Sequence, residues 1–382
     1  METRMEQAMP AMGPGQLDSR VAVRGVIAGL GKYRPVPTPA AIAQQLGMPV
    51  ERIVKLDANE NPYGAPPGVA AALAELDPSR YPDADATELR TALGRYAGQP
   101  VDRIVCGNGS DELLELLCRA FVAPGDAVLT AEPTFGMYAV AARQHGAVIQ
   151  DVPRDPATWA VDPTALIRAA GTTARLIFLC APNNPTGTPL PEADLRAILD
   201  AAPGVVVVDE AYAEFAGTST LPLLDAYPHL IVLRTLSKLA GLAGLRVGYA
   251  CLAPVLAAAL WKMKAPYNVN IAAQVAGVAA LHDPDWIADK LARLRAGRQF
   301  LTDHLAALPG LQVYPSAANF LLMRVAGGPS AAEHLYAGLR ARGILIRSYG
   351  PGPLAGCLRI SVGTEAQNAR VIEEVQQLWP TL

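Results

Sequence analysis

Four stretches of the chain set groups able to do chemistry directly after apolar runs. In VVVVDEAY (205–212), Asp209 ends a run of four valines, and no lysine or arginine lies nearby in sequence. A lone carboxylate buried there is costly unless a cation or good hydrogen bonds meet it. Either a distant arginine or the protonated ring nitrogen of a bound heterocycle would serve. In RTLSKLAGLAGLRVGY (234–249), Lys238 sits among Leu, Ala and Gly. Poor solvation there disfavours the charged amine and leaves a nucleophile; the alternative is a lysine snorkelling from a loop. Thr235, Ser237 and Arg246 of the same stretch supply two hydroxyls and a guanidinium, the makings of a phosphate cradle. In GNGSDE (107–112), the amides of Gly109, Ser110 and Asp111 can point at an anion at a helix start, or Ser110 or Asp111 can simply cap that helix. In APNNPTG (181–187), Asn184 offers a side-chain donor from what is otherwise a turn.

These groups need a scaffold, and the apolar pattern supplies one. AVLTAEP, GAVIQDVP, ARLIFLCAP, GVVVVDEAY and HLIVLRTLS are short and apolar, as central parallel strands covered on both faces are. DELLELLCRAF repeats apolar residues at helical spacing. The alternation predicts an open α/β sheet, whose ligands bind off the carboxyl ends of the strands. From about residue 290 the order is helix (DKLARLRAGRQFLTDHLAAL), one strand (LQVYPSAANFLLMRV), helix (AAEHLYAGLRARG) and strand (CLRISVG), a smaller α+β unit. Residues 1–18 read as mobile, and KLDANENPYG (55–64) reads as a linker or arm rather than a core element. The expected division is a tail and arm at 1–60 joining the small domain, a large ligand-binding domain at 61–285, and a small domain at 286–382.

In this order, KLDANENPYG, RYPD, GNGSDE, EPTFGMY, APNNPTG, VVDEAY, TLSK with Arg246 eight residues after the lysine, PYNVN and CLRISVG resemble the fold type I pyridoxal-5′-phosphate (PLP) aminotransferases. Among them the chain is most similar to the histidinol-phosphate aminotransferase branch. The resemblance implies PLP held as an imine on Lys238, which also shuttles the proton. It implies Asp209 on the pyridinium nitrogen, with Asn184 and Tyr212 on the ring's phenolic oxygen. Phe135, where the family often carries Tyr, would stack on the ring. The first-turn groups Gly109, Ser110 and Asp111, with Thr235, Ser237 and Arg246, would hold the phosphate. Tyr81 of RYPD would reach the phosphate of a neighbouring subunit, making a homodimer with shared sites. Arg359 would bind the substrate's acid group. Arg347, either a ligand of the substrate phosphate or a solvated arginine, and Glu60, Asn61 and Asn319 are further pocket candidates. Leu239 and Ala240 after the lysine, and KYRPVPTP near the start, depart from the family pattern.

The expected reaction moves the amino group of L-histidinol phosphate to 2-oxoglutarate, in histidine biosynthesis. An aromatic amino acid aminotransferase and a PLP decarboxylase of a phosphorylated amino acid remain open, as does a non-catalytic regulator on this fold. A dehydrogenase fits poorly, since GNGSDE is not GxGxxG. The net charge of −3, with basic residues scattered, argues against nucleic acid and anionic membranes. The five cysteines (106, 118, 180, 251, 357) form no CxxC pair and sit in apolar surroundings, and the five histidines show no metal-ligand spacing. No long apolar run or signal-like start is present, so a cytoplasmic enzyme without metal is expected.

Overall fold

The apolar runs become one seven-stranded sheet in the computed structural model, which describes residues 23–30 and 37–379. In chain order its strands are β2 (Ile104–Asn108), β3 (Ala127–Thr130), β4 (Val148–Asp151), β5 (Leu176–Cys180), β6 (Val205–Asp209), β7 (Leu230–Thr235) and β8 (Val247–Leu252); the lone early strand β1 is Val54–Lys55. The spatial order is β2-β8-β7-β6-β5-β3-β4. Only β8 runs against its neighbours. Strands β5, β6 and β7 are buried at every residue, because helices cover both faces. Alternate side chains feed two cores: Val206, Val208 and Leu179 pack on one face, Val205, Val207 and Phe178 on the other. Register pairs Cys180 with Asp209 and Asp209 with Leu233, so β5 and β6 end level while β7 runs two residues further, to Thr235.

RVGY, expected as loop, carries the start of β8 at Val247; this six-residue strand follows so closely on the glycine-rich 241–244 segment that pattern alone merges the two. LQVYPSAANFLLMRV is not one strand but two, β9 (Leu311–Val313) and β10 (Phe320–Val325), paired antiparallel about the Tyr314–Asn319 turn. With β12 (Arg347–Ser348) and β13 (Cys357–Ser361) they form a second sheet, β12-β13-β10-β9. Helices Pro284–Ala306, Gly328–Ala341 and Glu365–Leu378 pack against this unit and one another, the last opened by a capping box between Thr364 and Gln367.

KLDANENPYG is core rather than linker. Its first residue, Lys55, belongs with Val54 to β1, which pairs in parallel with β11 (Ile344–Leu345). Leu56 and Asn59 are 2% and 1% exposed. Polar residues that are buried because they are hydrogen-bonded carry no hydropathy signal, which is why the pattern missed them. All five cysteines are buried and free. Among the described residues no helix is long and apolar enough to cross a membrane. The expected mobile start, 1–18, and most of KYRPVPTP lie outside the described residues; Gly25–Ala28 is a short helix in a separate unit, Met1–Arg34.

One glycine fixes how the sheet meets the helix that follows β2. Gly248 of β8 faces the turn into Gly109–Phe121, and a Cβ there would overlap the backbone of Gly109 and the amide of Ser110. Gly248→Val is expected to cost about 2 kcal/mol or more of stability by forcing that turn off the sheet, as overpacking does. Urea unfolding of the variant checks it; an unchanged midpoint would show that the turn has room to give.

Candidate active site

The carboxyl ends of β6 and β7 bring Asp209 and Lys238 to the side of the sheet where helix Gly109–Phe121 starts. Asp209 closes β6 at 4% exposure. Its Oδ2 accepts the Tyr138 hydroxyl at 2.7 Å and its Oδ1 accepts the Ala211 amide at 3.0 Å. Both donors are neutral, and among the described residues no lysine or arginine bonds the carboxylate. Burial therefore pushes its pKa up to about 6, although the Tyr138 and Ala211 hydrogen bonds and the Lys238 charge pull the other way.

Lys238 follows β7 in a tight loop. Its Nζ donates to the Ala58 carbonyl at 3.2 Å and stands 5.8 Å from the Tyr212 ring centre. Burial, then the positive charges of Arg359 and Arg246, bring its pKa down to about 8, opposed by Glu60 and Asp111. The loop is pinned from the ANENP segment, where the Asn61 side-chain amide donates to the Leu239 carbonyl at 2.6 Å. Gly241, in the left-handed region, passes so close to Gly64 that no side chain fits between them.

The Tyr212 hydroxyl accepts from Asn59 Nδ2 at 3.0 Å, and its ring stands edge-on to Phe320. Asn59 itself has φ 56 and is fixed by Ser361 and by Asn319, whose Nδ2 donates to the Asn59 carbonyl. Arg359, on β13, donates to Asn184 Oδ1 at 2.6 Å and to the Asp57 carbonyl at 2.7 Å. Its buried Nε has no partner.

At the helix start, Asn108 is the N-cap but contributes no side-chain bond, so Ser110 and Asp111 are first-turn residues and not the cap. Their amides lack intrahelical partners by geometry. Arg246, with φ 58, lies across Gly109, pairs with Asp111 at 3.0 Å, and accepts the Gly109 amide on its carbonyl. The Thr235 hydroxyl accepts the Ser237 amide at 3.0 Å and lies 2.9 Å from the Ser237 hydroxyl. Free amides, two hydroxyls and a guanidinium thus converge at a helix N-terminus, the setting in which phosphate binds.

The remaining candidates are Tyr81, Phe135, Glu60 and Arg347. Tyr81 is 81% exposed and stacks on Tyr267. Phe135 is half-buried, edge-on to Tyr138 at 5.5 Å. Glu60 pairs with Lys55 at 2.6 Å. Arg347 is exposed but directly opposite Arg359 across β12 and β13.

A family model for aminotransferase class I and II matches residues 51–375. Histidinol-phosphate aminotransferase of Roseiflexus castenholzii is 49% identical over 97% of this chain and 100% of its own. The chloroplastic histidinol-phosphate aminotransferase of Nicotiana tabacum is 39% identical over 94% and 88%. The chain belongs to the histidinol-phosphate aminotransferases, within aminotransferase classes I and II. The solved histidinol-phosphate aminotransferase of Sinorhizobium meliloti, in complex with pyridoxal-5′-phosphate, is 30% identical with a TM-score of 0.86 over 96% of this chain and 99% of its own. Aspartate aminotransferase of Thermus thermophilus, at 23% identity and TM-score 0.77, shares the fold.

Two residues of this aminotransferase site escaped the sequence reading. Asn59 lies in the quoted ANENP motif, and Tyr138 ends the quoted EPTFGMY. Their roles come from side-chain partners distant in sequence, which spacing does not reveal.

The Asp209 shift has a testable sign. A folded-state pKa raised from 3.8 to about 6 stabilises the fold below about pH 4, and this stability is lost as pH rises through 6. Relative to Asp209→Asn, the cofactor-free wild type should lose about 2 kcal/mol between about pH 4 and pH 7. Urea titrations at both pH values measure this; parallel behaviour of the two proteins would mean that Asp209 is not held in a desolvated site.

Proposed function

We propose that this chain uses pyridoxal 5′-phosphate to move the amino group of L-histidinol phosphate to 2-oxoglutarate, giving imidazole-acetol phosphate and glutamate, a step of L-histidine biosynthesis. The observation that carries the reading is Asp209: a buried carboxylate with neutral donors on both oxygens and no bonded cation among the described residues. A protonated pyridine nitrogen supplies the missing charge. The residues present fit the rest of the group, with uncapped helix-start amides, Thr235, Ser237 and Arg246 for its phosphate, and Asn184 and Tyr212 for its ring oxygen. When bound, the cofactor supplies an electron sink for the bonds to the substrate's amine-bearing carbon.

The chain's own groups do the rest. Lys238, with a pKa of about 8, has an appreciable neutral fraction near neutrality, so its amine can attack a carbonyl and can accept and return a proton. Asn59 orients the Tyr212 hydroxyl. Arg359 keeps one buried N–H unspent for an acid group while Asn184 and Asp57 fix its other two nitrogens. Arg347, opposite Arg359, adds a second charge for a dianionic phosphate. Glu60, Asn61 and Asn319 shape the pocket from the ANENP side, Asn61 and Asn319 through the backbone of Leu239 and Asn59. Phe135 takes the ring-face role.

The same reading divides the chain into an arm (1–60), a large cofactor-binding domain (61–285) and a small domain (286–382). The separate sheets and the β1–β11 pairing support it. It makes the working unit a cytoplasmic homodimer with Tyr81 reaching the partner's cofactor phosphate; the outward placement of Tyr81 supports this.

Two measurements test the proposal. Lys238→Ala is expected to fold yet lose about a thousand-fold in turnover, in the range of a lost general base; borohydride reduction of the wild type should leave the cofactor label on Lys238, and a label elsewhere rejects the assignment. With 2-oxoglutarate as acceptor, kcat/KM for histidinol phosphate should exceed that for phenylalanine and tyrosine. The reverse order would make this an aromatic aminotransferase.

A further inference from the structure

Tyr138 holds the carboxylate on which the proposed cofactor chemistry turns, and it does so with a single atom. Its hydroxyl donates to Asp209 Oδ2 at 2.7 Å. The ring is fully buried, parallel to Phe178 at 5.1 Å and 4°, and edge-on to Phe135 at 5.5 Å. Two aromatic contacts in perpendicular directions leave the phenol no freedom to swing away. The other carboxylate oxygen is held only by the Ala211 amide two residues on. Tyr138 is therefore the sole side-chain donor to Asp209 among the described residues, and it comes from helix Met137–Gln144, an element separate from the strands that carry the site.

We propose that Tyr138 is a positioning residue that keeps Asp209 ionised and aimed at the cofactor's ring nitrogen. This rests on the reading given under Proposed function. Without the hydroxyl, Oδ2 loses its donor in a desolvated site, and the carboxylate is free to rotate and to take up a proton. A neutral carboxylic acid presents no charge to a pyridinium. The phenol's own ionisation is pushed well above its usual value by burial and then by Asp209, so it remains a donor throughout the working range.

The groups facing Asp209 come from several elements. Cys180 ends β5, Tyr212 follows on the next turn, Lys238 follows β7, and Asp111 lies on helix Gly109–Phe121. Arg154 stands behind Tyr138 and Cys180. Cys180, at about 12, and Tyr212, held above its ordinary value, stay neutral near pH 6; Asp111 opposes ionisation of Asp209 while Lys238 favours it. Tyr138→Phe leaves all of these in place and removes one oxygen.

The test is titration of the cofactor-free protein with PLP, followed by absorbance, from about pH 5 to about pH 8, where the Asp209 ionisation falls. In the wild type, affinity should fall on the acid side with a midpoint near 6, where Asp209 takes up its proton. In Tyr138→Phe that limb should move to higher pH, weakening binding at neutrality by about ten-fold, the size of one hydrogen bond to a charged group. In an Asp209→Asn background, Tyr138→Phe should change affinity by less than about two-fold, since its effect runs through the carboxylate. Phe178→Leu, which loosens the stack but keeps the hydroxyl, should give a smaller shift in the same direction and keeps the test open if Tyr138→Phe folds poorly. Superimposed acid limbs for wild type and a folded Tyr138→Phe, or full additivity with Asp209→Asn, would overturn the inference. A wild type that does not bind PLP would instead reject the reading on which it rests.

Discussion

The charge on Asp209 is the constraint around which this molecule is arranged. A carboxylate at 4% exposure with no bonded cation among the described residues is costly as an anion, and the chain leaves it so at the tip of a fully buried strand. Hydrogen bonds from Tyr138 and Ala211 offset part of that cost without cancelling the charge. What remains is an attraction for a cation of the right shape at the mouth of the sheet. Parallel strands bring Lys238, just past the end of β7, and the start of helix Gly109–Phe121 to the same side of the sheet. In the proposed reading, an open α/β sheet thus becomes a clamp with one grip for a ring nitrogen, one for an aldehyde and one for a phosphate.

The second sheet and the ANENP segment complete the crevice from the other side. Arg359 comes from β13 and Asn59 from the chain leading away from β1, and each reaches a group of the large sheet unit: Arg359 bonds Asn184, and Asn59 bonds Tyr212. The Lys238 amine rests on the Ala58 carbonyl of the same segment. Arg359 and the ANENP segment are therefore linked directly to Asn184, Tyr212 and Lys238, and a shift of the small sheet would be felt at all three. The left-handed backbone at Asn59 is retained because Ser361, Asn319 and Tyr212 all fix it.

Much of this was legible from sequence, for physical reasons. VVVV and LIVL announce buried parallel strands because a strand covered on both faces must be apolar throughout. Asp209 and Lys238 stand out as ionisable residues in company that does not solvate them. The resemblance across nine ordered motifs pointed to the same family that the comparisons show. The less legible features depend on long-range pairing. β8 runs antiparallel through a parallel sheet, and no local pattern marks its direction. The turn between β9 and β10 is held by the Ser316 hydroxyl donating to the Phe320 carbonyl, a contact that composition does not reveal. ANENP read as linker because its polar side chains are satisfied by partners as far away as Ser361. Tyr138 was hidden the same way, since nothing in EPTFGMY says that its last residue meets a carboxylate 71 positions later.

The most direct measurement of the central claim is to compare the affinity of the cofactor-free protein for PLP with that for its 1-deaza analogue, in which a C–H replaces the ring nitrogen. If the ring nitrogen is the counter-charge that Asp209 lacks, the analogue should bind about a hundred-fold more weakly, as expected when a buried charge loses its partner, and the difference should disappear in Asp209→Ala. Equal affinity of the wild-type protein for the two compounds would contradict the account.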